Sequence, residues 1–206
     1  ALILLVLLGP CARQDDAENF RLWEVAGTSH ADSYQTLVGP TDYGDSPSVV
    51  EIVAPSSPLA GVIDCNSPIN SGPQHFVLKA ALAALNKWVR TGKAPKSAPR
   101  LEVDAGPPAT IRTDAHGNAL GGIRTPDVDV PVATLSGENS GGGRDFCRLL
   151  GSTIAFDDAT LRSLYPTKQA YVTTFNKALD KAIRAGFLRK SDRTEYAARA
   201  EAVTIP

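Results

Sequence analysis

The sequence predicts an α/β domain, and three observations carry that prediction. Residues 1–8, ALILLVLL, form a continuous apolar run, which is typical of a strand buried on both faces of a parallel sheet. Residues 20–26 form a second β-prone stretch that stops at Gly27. Helical periodicity then dominates two long stretches, residues 73–91 and most of 156–206. Strands and helices in this combination favour the α/β class.

The chain is interpreted as a single domain, because its 206 residues and its 43% hydrophobic content suit one core. The long loop excursion in the first half is rich in Pro, Gly, Ser and Asp, and such loops in compact domains are usually lids or binding segments. In order, the predicted segments are the last core strands and a histidine-bearing loop at 1–37, the loop excursion at 38–72, a packing helix at 73–91, an irregular β-rich insertion at 97–150 and a helical end at 156–206.

The helix beginning at Pro73 is the best-defined element. Ser71 and Gln74 have the spacing of a capping box, Pro73 suits a first turn, and Gly92 is expected to end the helix. Its apolar residues recur at helical spacing, so we expect this stripe to pack on a sheet face. The stripe consists of Leu78, Leu82, Leu85 and Val89, widened by Ala81 and Trp88.

The remaining elements are shorter or depend on local signals. We expect Asp32 to cap a short helix that ends near Leu37, and Gly186 to close a helix that starts at Pro166. Extended pieces are predicted at 100–103, 110–113, 119–125 and 128–135, and further helices from Asp157 or Asp158 to Tyr165 and over 191–202.

Charge and length exclude several classes of partner. Lys and Arg number 21 against 22 Asp and Glu, so the net charge of -1 supplies no global field for nucleic acid. No membrane span is predicted, because the opening apolar run has eight residues where a helix needs about 20. That run also resembles a signal-peptide core, with a lipoprotein-like box ending at Cys11, but no basic residue precedes it. The sequence leaves compartment and oligomeric state undetermined.

No cofactor and no metal are predicted. The three cysteines fit no metal spacing. We favour unpaired thiols over a disulfide between Cys65 and Cys147. In that disulfide-bonded alternative Cys11 would remain unpaired. Asp127 and Asp129 alternate on a predicted extended piece, and a solvated face is favoured there over a cation site, which needs more oxygen ligands.

The chemistry of the chain centres on the loop that follows the second strand, Gly27-Thr28-Ser29-His30-Ala31. In one interpretation it is a nucleophile elbow that exposes Ser29. Downstream partners for that serine would be an acid among Asp42, Asp45 and Asp64 and a base from His75 or His116. This arrangement is cramped, because a triad's acid and base normally follow later strands.

In the other interpretation His30 is the general base. The histidine of a Ser-acid-His triad in an α/β-hydrolase follows a strand and precedes the closing helix, which is the order found here. An ordinary loop histidine remains the alternative on spacing alone.

Five runs of this sequence resemble one family, the bacterial "alpha/beta hydrolase domain" family. The similarity is collinear and covers nearly the whole chain from Ala12 onward, in the order RLWEVAGTSHAD, PINSGPQHFVLKAALAALNKWVRTGKAP, DAHGNALGGIRTPDVDVPVATLSGE, FCRLLGST and LYPTKQAYV, with a Gly186-Phe187-Leu188 close. The resemblance implies the C-terminal part of an α/β-hydrolase parallel sheet with flanking helices. It also implies serine hydrolase activity on ester substrates, with the catalytic histidine at His30.

Two parts of the family pattern are missing. The nucleophile elbow and the early strands would lie upstream of Ala1, and the catalytic acid would be expected near the end of the strand before Phe20. No carboxylate occurs there until Asp15 and Asp16. The hypothesis is therefore the C-terminal part of a serine hydrolase for small-molecule esters, inactive as an isolated chain. The alternative is a non-catalytic remnant or binding module on hydrolase-like architecture.

Overall fold

The structure is a computed structural model that describes residues 2–6, 13–43, 53–141 and 146–206. Its strands are β1 Leu2–Val6, β2 Phe20–Glu24, β3 Val103–Asp104, β4 Thr110–Ile111, β5 Ala133–Ser136 and β6 Ser152–Ala155. Its helices are α1 Ser33–Leu37, α2 Gln74–Thr91, α3 Pro126–Asp129, α4 Cys147–Leu150, α5 Asp158–Leu164, α6 Lys168–Ala185 and α7 Arg193–Ala202, with 3-10 turns at Gly39–Thr41 and Lys190–Asp192.

The α/β class is confirmed, but the sheet is smaller than predicted. Strands β1 and β2 pair in parallel, with Leu2 opposite Phe20, whereas β3 with β4 and β5 with β6 form antiparallel pairs. Within the described residues these three two-stranded sheets replace the expected extended parallel sheet. The later strands are only two to four residues long, and the five residues between β3 and β4 are too few for the crossover that a parallel pair requires.

The irregular region at 97–150 follows the sequence only in part. The predicted strand at 128–135 begins instead as the short helix α3, and only Ala133–Ser136 is extended. Pro126 at the first helical position and the Thr125 before it form a helix start that outweighs the β-branched residues which follow. The predicted turn at Gly117 is present, because Asp114 Oδ1 accepts the backbone N–H groups of His116 and Asn118.

Helix α2 runs close to its predicted bounds and ends at Gly92, which adopts the left-handed conformation with φ 69°. The predicted capping box is wrong, since Pro73 occupies the cap position without a side-chain hydrogen bond. The Ser71 hydroxyl instead lies 3.1 Å from Thr153 Oγ1. Ser71 therefore ties the start of α2 to strand β6.

The predicted packing face of α2 is right for Ala81 and Trp88, which are 3% and 5% exposed, but wrong for Leu82 and Val89. Leu82 and Val89 are 58% and 67% exposed, and Leu78 is 36% exposed. The neighbouring stripe is buried, and it consists of Phe76, Val77, Ala80, Ala81 and Trp88. Two apolar stripes therefore lie side by side on this helix, and the one with alanines and aromatic rings packs inward because alanine lets the helix approach closely.

The helical end packs against β2 and α2 to form the main core. Asp157 caps α5, Thr167 caps α6 and Gly186 ends α6 with φ 90°, as the sequence predicts. The largest fully buried side chains of this core are Trp23, Phe76, Tyr171, Phe175 and Tyr196. Among the described residues, no helix is long and apolar enough to cross a membrane.

Candidate functional site

The loop after β2 leaves the sheet through Gly27, whose φ is 70°. A Cβ atom at this position would lie 2.8 Å from Val128 Cγ2 and 3.1 Å from Leu135 Cβ. A side chain is therefore excluded both by the left-handed backbone and by the neighbouring core. The glycine lets the chain turn sharply at the carboxyl end of β2, where α/β proteins commonly place their functional groups.

Asn70, which is fully buried, holds this loop in place through its side-chain amide. Its Nδ2 donates to the carbonyl oxygens of Gly27 at 3.1 Å and Ser136 at 2.9 Å. Its Oδ1 accepts from the backbone N–H of Gly72 at 2.7 Å. One amide group thus joins the loop after β2 to strand β5 and to the start of α2, in bonds that burial strengthens.

Backbone hydrogen bonds fix the far side of the same loop. Ala31 N donates to Leu149 O at 2.9 Å, and Ser33 N donates to Asn70 O at 2.8 Å. Asn70 N donates in turn to Leu150 O at 2.9 Å. The loop is therefore bonded on both sides of His30, with α4 as one support.

A disulfide between Cys65 and Cys147 anchors α4. The Cα atoms lie 5.5 Å apart, within the normal range for this bond. The expectation of unpaired thiols at these positions is therefore wrong, because sequence separation of 82 residues conceals that the fold brings the two together. Cys11 lies outside the described residues.

Ser29 does not have the environment of a nucleophile. Its side chain is fully buried, and its hydroxyl donates to Ala31 O at 2.6 Å. A Cβ built on Gly151 would lie 2.6 Å from Ser29 Cβ, so backbone covers the serine closely. The elbow interpretation of Ser29 is wrong for this structure, and Asp45, one of its candidate acids, lies outside the described residues.

His30 is exposed at the bend that follows Ser29. In the described part of the chain its imidazole has no hydrogen-bonding or ion-pair partner. Asp16 is not its acid, because that carboxylate accepts from Arg100 at 3.0 Å and from Leu22 N at 3.0 Å. The structure thus presents the predicted base to solvent, and within the described ranges no serine or acid bonds to it.

The other two histidines have structural surroundings. His75 is buried, its ring stacks on Tyr34 at 3.8 Å, and neither ring nitrogen has a partner among the described residues. Burial lowers the pKa of His75 from 6.5 to about 3, helped by the charges of Arg199 and Lys79. His116 lies in the Asp114 turn.

Asp32 is a buried carboxylate close to the same region. Its Oδ1 accepts from Gln35 N at 2.9 Å, which completes a capping box for α1 as the sequence predicts for the cap. Its Oδ2 is buried without a partner in the described residues. Burial raises the pKa of Asp32 from 3.8 to about 6, against the opposing effect of the Gln35 backbone bond and of Arg199.

Asp127 and Asp129 are paired rather than solvated, which corrects the sequence expectation. Asp127 accepts from Arg199 at 2.8 Å and from the Tyr196 hydroxyl at 2.6 Å, and Asp129 accepts from Arg124 at 2.7 Å. Both carboxylates therefore serve packing between α3 and its neighbours. No group of His, Cys, Asp or Glu within the described ranges could hold a metal ion.

A cavity of about 960 Å³ opens at the carboxyl end of β2. Thr28, two residues before His30, lines it from the loop, and Leu149 lines it from α4. The hairpin of β3 and β4 forms the opposite wall through Val103 and Ile111. The loop that carries His30 and the helix that the disulfide anchors therefore border the same space.

Buried Glu24 holds the floor of the cavity in a network with Arg13. Arg13 Nε donates to Glu24 Oε1 at 2.7 Å, and Arg13 Nη2 donates to Oε2 at 2.8 Å. Leu101 N donates to the same Oε2 at 2.7 Å. Both carboxylate oxygens are thus satisfied in a bidentate pair, which makes the burial of the two charges tolerable.

Sequence reasoning found the loop but missed Asn70, Glu24 and the cavity. A glutamate inside an apolar strand was the available signal for the buried pair with Arg13, and an asparagine between Pro68 and Gly72 was the signal for the amide that holds the loop. The pairings themselves span 11 to 66 residues, so no local pattern specifies them.

Comparison with known proteins gives one match. A family model described as "Alpha/beta hydrolase domain" matches residues 4–198. No curated protein and no solved structure matches significantly.

Proposed function

Because the chain belongs to the alpha/beta hydrolase domain family, we propose that it is part of a serine hydrolase acting on small-molecule esters, with His30 as the general base. One observation carries this proposal. His30 is exposed on the loop at the carboxyl end of β2, and Thr28 of the same loop lines a cavity large enough for a substrate.

The role of His30 follows from the chemistry of acyl transfer. The imidazole takes the proton of the attacking serine hydroxyl and later returns it to the departing alcohol. A carboxylate that accepts the other ring N–H fixes the tautomer. Ser29 is too buried to act as the nucleophile. Among the described residues no carboxylate bonds to His30. The proposal therefore places the nucleophile and the acid outside the described residues.

Catalysis therefore requires a nucleophile and an acid from beyond the described residues. The described residues alone should bind an ester without efficient turnover. Loss of any triad member removes most of the rate, since the three groups act as a unit. The bonds from Ala31 N to Leu149 O of α4 and from Ser33 N to Asn70 O hold the loop rigid around His30, which is what a general base needs.

A binding module without catalysis is the second candidate. The binding module is favoured because the cavity is formed and its two charged residues, Arg13 and Glu24, already bond to each other. In that case the loop around His30 serves recognition rather than proton transfer.

Hydrolysis of p-nitrophenyl butyrate by the full-length gene product tests the proposal. We expect His30→Ala to lower kcat/KM by roughly 10³-fold, as removal of a triad base does. His116→Ala is the matched control, because it removes a histidine outside the loop, and it should keep nearly full activity. Equal activities in the two variants would refute the role of His30.

A fluorophosphonate probe then separates the two candidates. Labelling of a serine other than Ser29, abolished in His30→Ala, supports the hydrolase. A protein that binds esters but neither hydrolyses them nor reacts with the probe is the binding module. Labelling of Ser29 itself would contradict the buried environment of its hydroxyl.

A further inference from the structure

The walls of the cavity at the carboxyl end of β2 are mainly apolar. Val25 and Leu135 line it from the sheet side, Val103 and Ile111 from the β3–β4 hairpin, and Leu149 from α4. Apolar side chains from three separate parts of the fold thus converge on one space. A ligand that buries apolar surface against this lining gains free energy from the hydrophobic effect.

The charged groups inside the described lining, Arg13 and Glu24, and the Thr28 hydroxyl already have partners in the protein. Arg13 and Glu24 neutralise each other through two hydrogen bonds of 2.7 and 2.8 Å. The Thr28 hydroxyl donates to Val25 O at 3.0 Å. A charged ligand group that entered this interior would lose its hydration without gaining an unpaired partner, which is strongly unfavourable.

The mouth of the cavity differs from its interior. Glu138 and Arg148 line it there as exposed residues of opposite charge, so their charges balance among the described residues of the mouth. Ile111 and Phe146 are also at the surface, 43% and 47% exposed, and both line the cavity. Two large apolar side chains therefore flank the entrance, which extends the apolar path outward.

We propose that this cavity binds the apolar chain of an uncharged ligand, and that the substrate is an ester of a medium-length, uncharged acyl chain. The assignment of the ligand as a substrate rests on the proposed function, whereas binding of the apolar chain does not depend on turnover. The volume of about 960 Å³ lies at the upper end of the range for small-molecule sites, which suits a chain longer than acetyl or butyryl.

Binding of 1-alkanols, measured by displacement of the neutral dye Nile red, tests this inference without hydrolysis. From 1-butanol to 1-octanol we expect affinity to rise by about fourfold per methylene, the equivalent of ~0.8 kcal/mol for each CH₂ buried. Octanoate should bind at least about tenfold more weakly than 1-octanol, because the interior cation of the described lining, Arg13, is already paired with Glu24. Equal or tighter binding of octanoate would overturn the inference.

A pair of variants localises the binding. Ile111→Lys places a charge on the cavity wall and should weaken 1-octanol binding at least about tenfold. Ile154→Lys is the matched control, because Ile154 is 48% exposed on β6, outside the cavity lining, and should leave binding unchanged. Thermal unfolding confirms that both variants fold, and equal binding by the two would refute the site.

The same measurements distinguish failure of this inference from failure of the proposed function. Chain-length-dependent binding that survives in an inactive His30→Ala protein supports the site, whatever the reaction. Ester hydrolysis that depends on His30 but shows no preference for longer acyl chains refutes the site while leaving the proposed function intact.

Discussion

Replacing His75 by Phe is expected to make the stability of this protein fall, relative to wild type, as pH rises from 4 to 6. In the folded state His75 stays neutral and Asp32 stays protonated across most of this range, because burial lowers the first pKa to about 3 and raises the second to about 6. In the unfolded state His75 is charged and Asp32 is ionised, with pKa values of 6.5 and 3.8. Folding thus moves one proton from an imidazole to a carboxyl group.

The two groups have opposite effects on stability. The raised pKa of Asp32 contributes stability that is complete below pH 3.8 and is lost as pH rises through about 6. The lowered pKa of His75 contributes stability that is complete above pH 6.5 and is lost as pH falls toward about 3. Between pH 4 and 6 these slopes nearly cancel, since each amounts to at most ~1.4 kcal/mol per pH unit.

The magnitudes follow from the shifts. Integrated from pH 4 to 6, the Asp32 contribution falls by about 2 kcal/mol and the His75 contribution rises by about 2.5 kcal/mol. In His75→Phe only the Asp32 contribution remains, so this contribution should fall by about 2 kcal/mol over the range, whereas the combined contribution in wild type rises by about 0.5 kcal/mol. Asp32→Asn should gain about 2.5 kcal/mol. Phe preserves the stacking on Tyr34, and Asn preserves the cap on Gln35.

Urea unfolding of wild type and both variants at half-unit pH intervals measures these slopes. Other carboxylates titrate in all three proteins, so the difference from wild type at each pH isolates the two groups. The neighbouring charges that act on His75 are Arg199, Lys79 and Asp42, and they are unchanged in both variants. Parallel stability profiles for all three proteins would refute the proton transfer on folding.

Three further predictions concern packing and cross-linking, and each is measured by urea unfolding. Replacing both cysteines of the disulfide by serine should lower the free energy of unfolding by about 4.5 kcal/mol on the loop-entropy relation for the separation of 82 residues; a loss below about 1 kcal/mol would contradict that account. Asn70→Asp should lower it by about 3–5 kcal/mol, because a buried carboxylate would face the carbonyls of Gly27 and Ser136; near-wild-type stability would show that the amide does not hold the loop. Phe76→Ala should lower the free energy of unfolding by about 3–5 kcal/mol, whereas Leu82→Glu should change it by at most about 0.5 kcal/mol. A larger loss in Leu82→Glu than in Phe76→Ala would show that the leucine face of α2 is the one that packs.

Local signals explain which parts of the fold could be predicted. Gly92, Gly186, Asp157 and Thr167 mark helix ends in the sequence, and each acts as a cap or terminus in the structure. These four signals are satisfied by neighbouring backbone groups, whereas the capping signal of Ser71 is lost to its tertiary contact with Thr153.

Tertiary competition explains the failures on α2. The leucine stripe has the stronger hydrophobic periodicity, yet Phe76 and Val77, outside that stripe, belong to the face that packs, because the adjacent core contains aromatic rings such as Tyr196, 4.7 Å from Phe76. Periodicity counts apolar residues on a face but does not show what shape the facing surface has.

The candidate site shows the same division. The position of His30 after a strand was readable from the sequence, since strand ends and glycine turns are local. The buried state of Ser29 was not, because it depends on Gly151, which comes 122 residues later and approaches only in the folded chain. Small residues around a serine permit either a sharp turn that exposes its hydroxyl or a neighbouring backbone segment that buries it. Which of the two occurs depends on the tertiary fold.

The amide of Asn70 also bears on how this protein ages. An asparagine followed by serine loses ammonia when the backbone nitrogen of the serine attacks the side-chain carbonyl carbon, and the resulting ring opens to aspartate or isoaspartate. In the folded protein Ser71 N is occupied as a donor to Thr153 Oγ1 at 2.9 Å, and Asn70 is fully buried, so the attack is blocked. Each transient opening of this region exposes the pair, and a chain that converts while open can no longer rebuild the loop around His30. Chemical lifetime at this position is thereby set by the frequency of local unfolding.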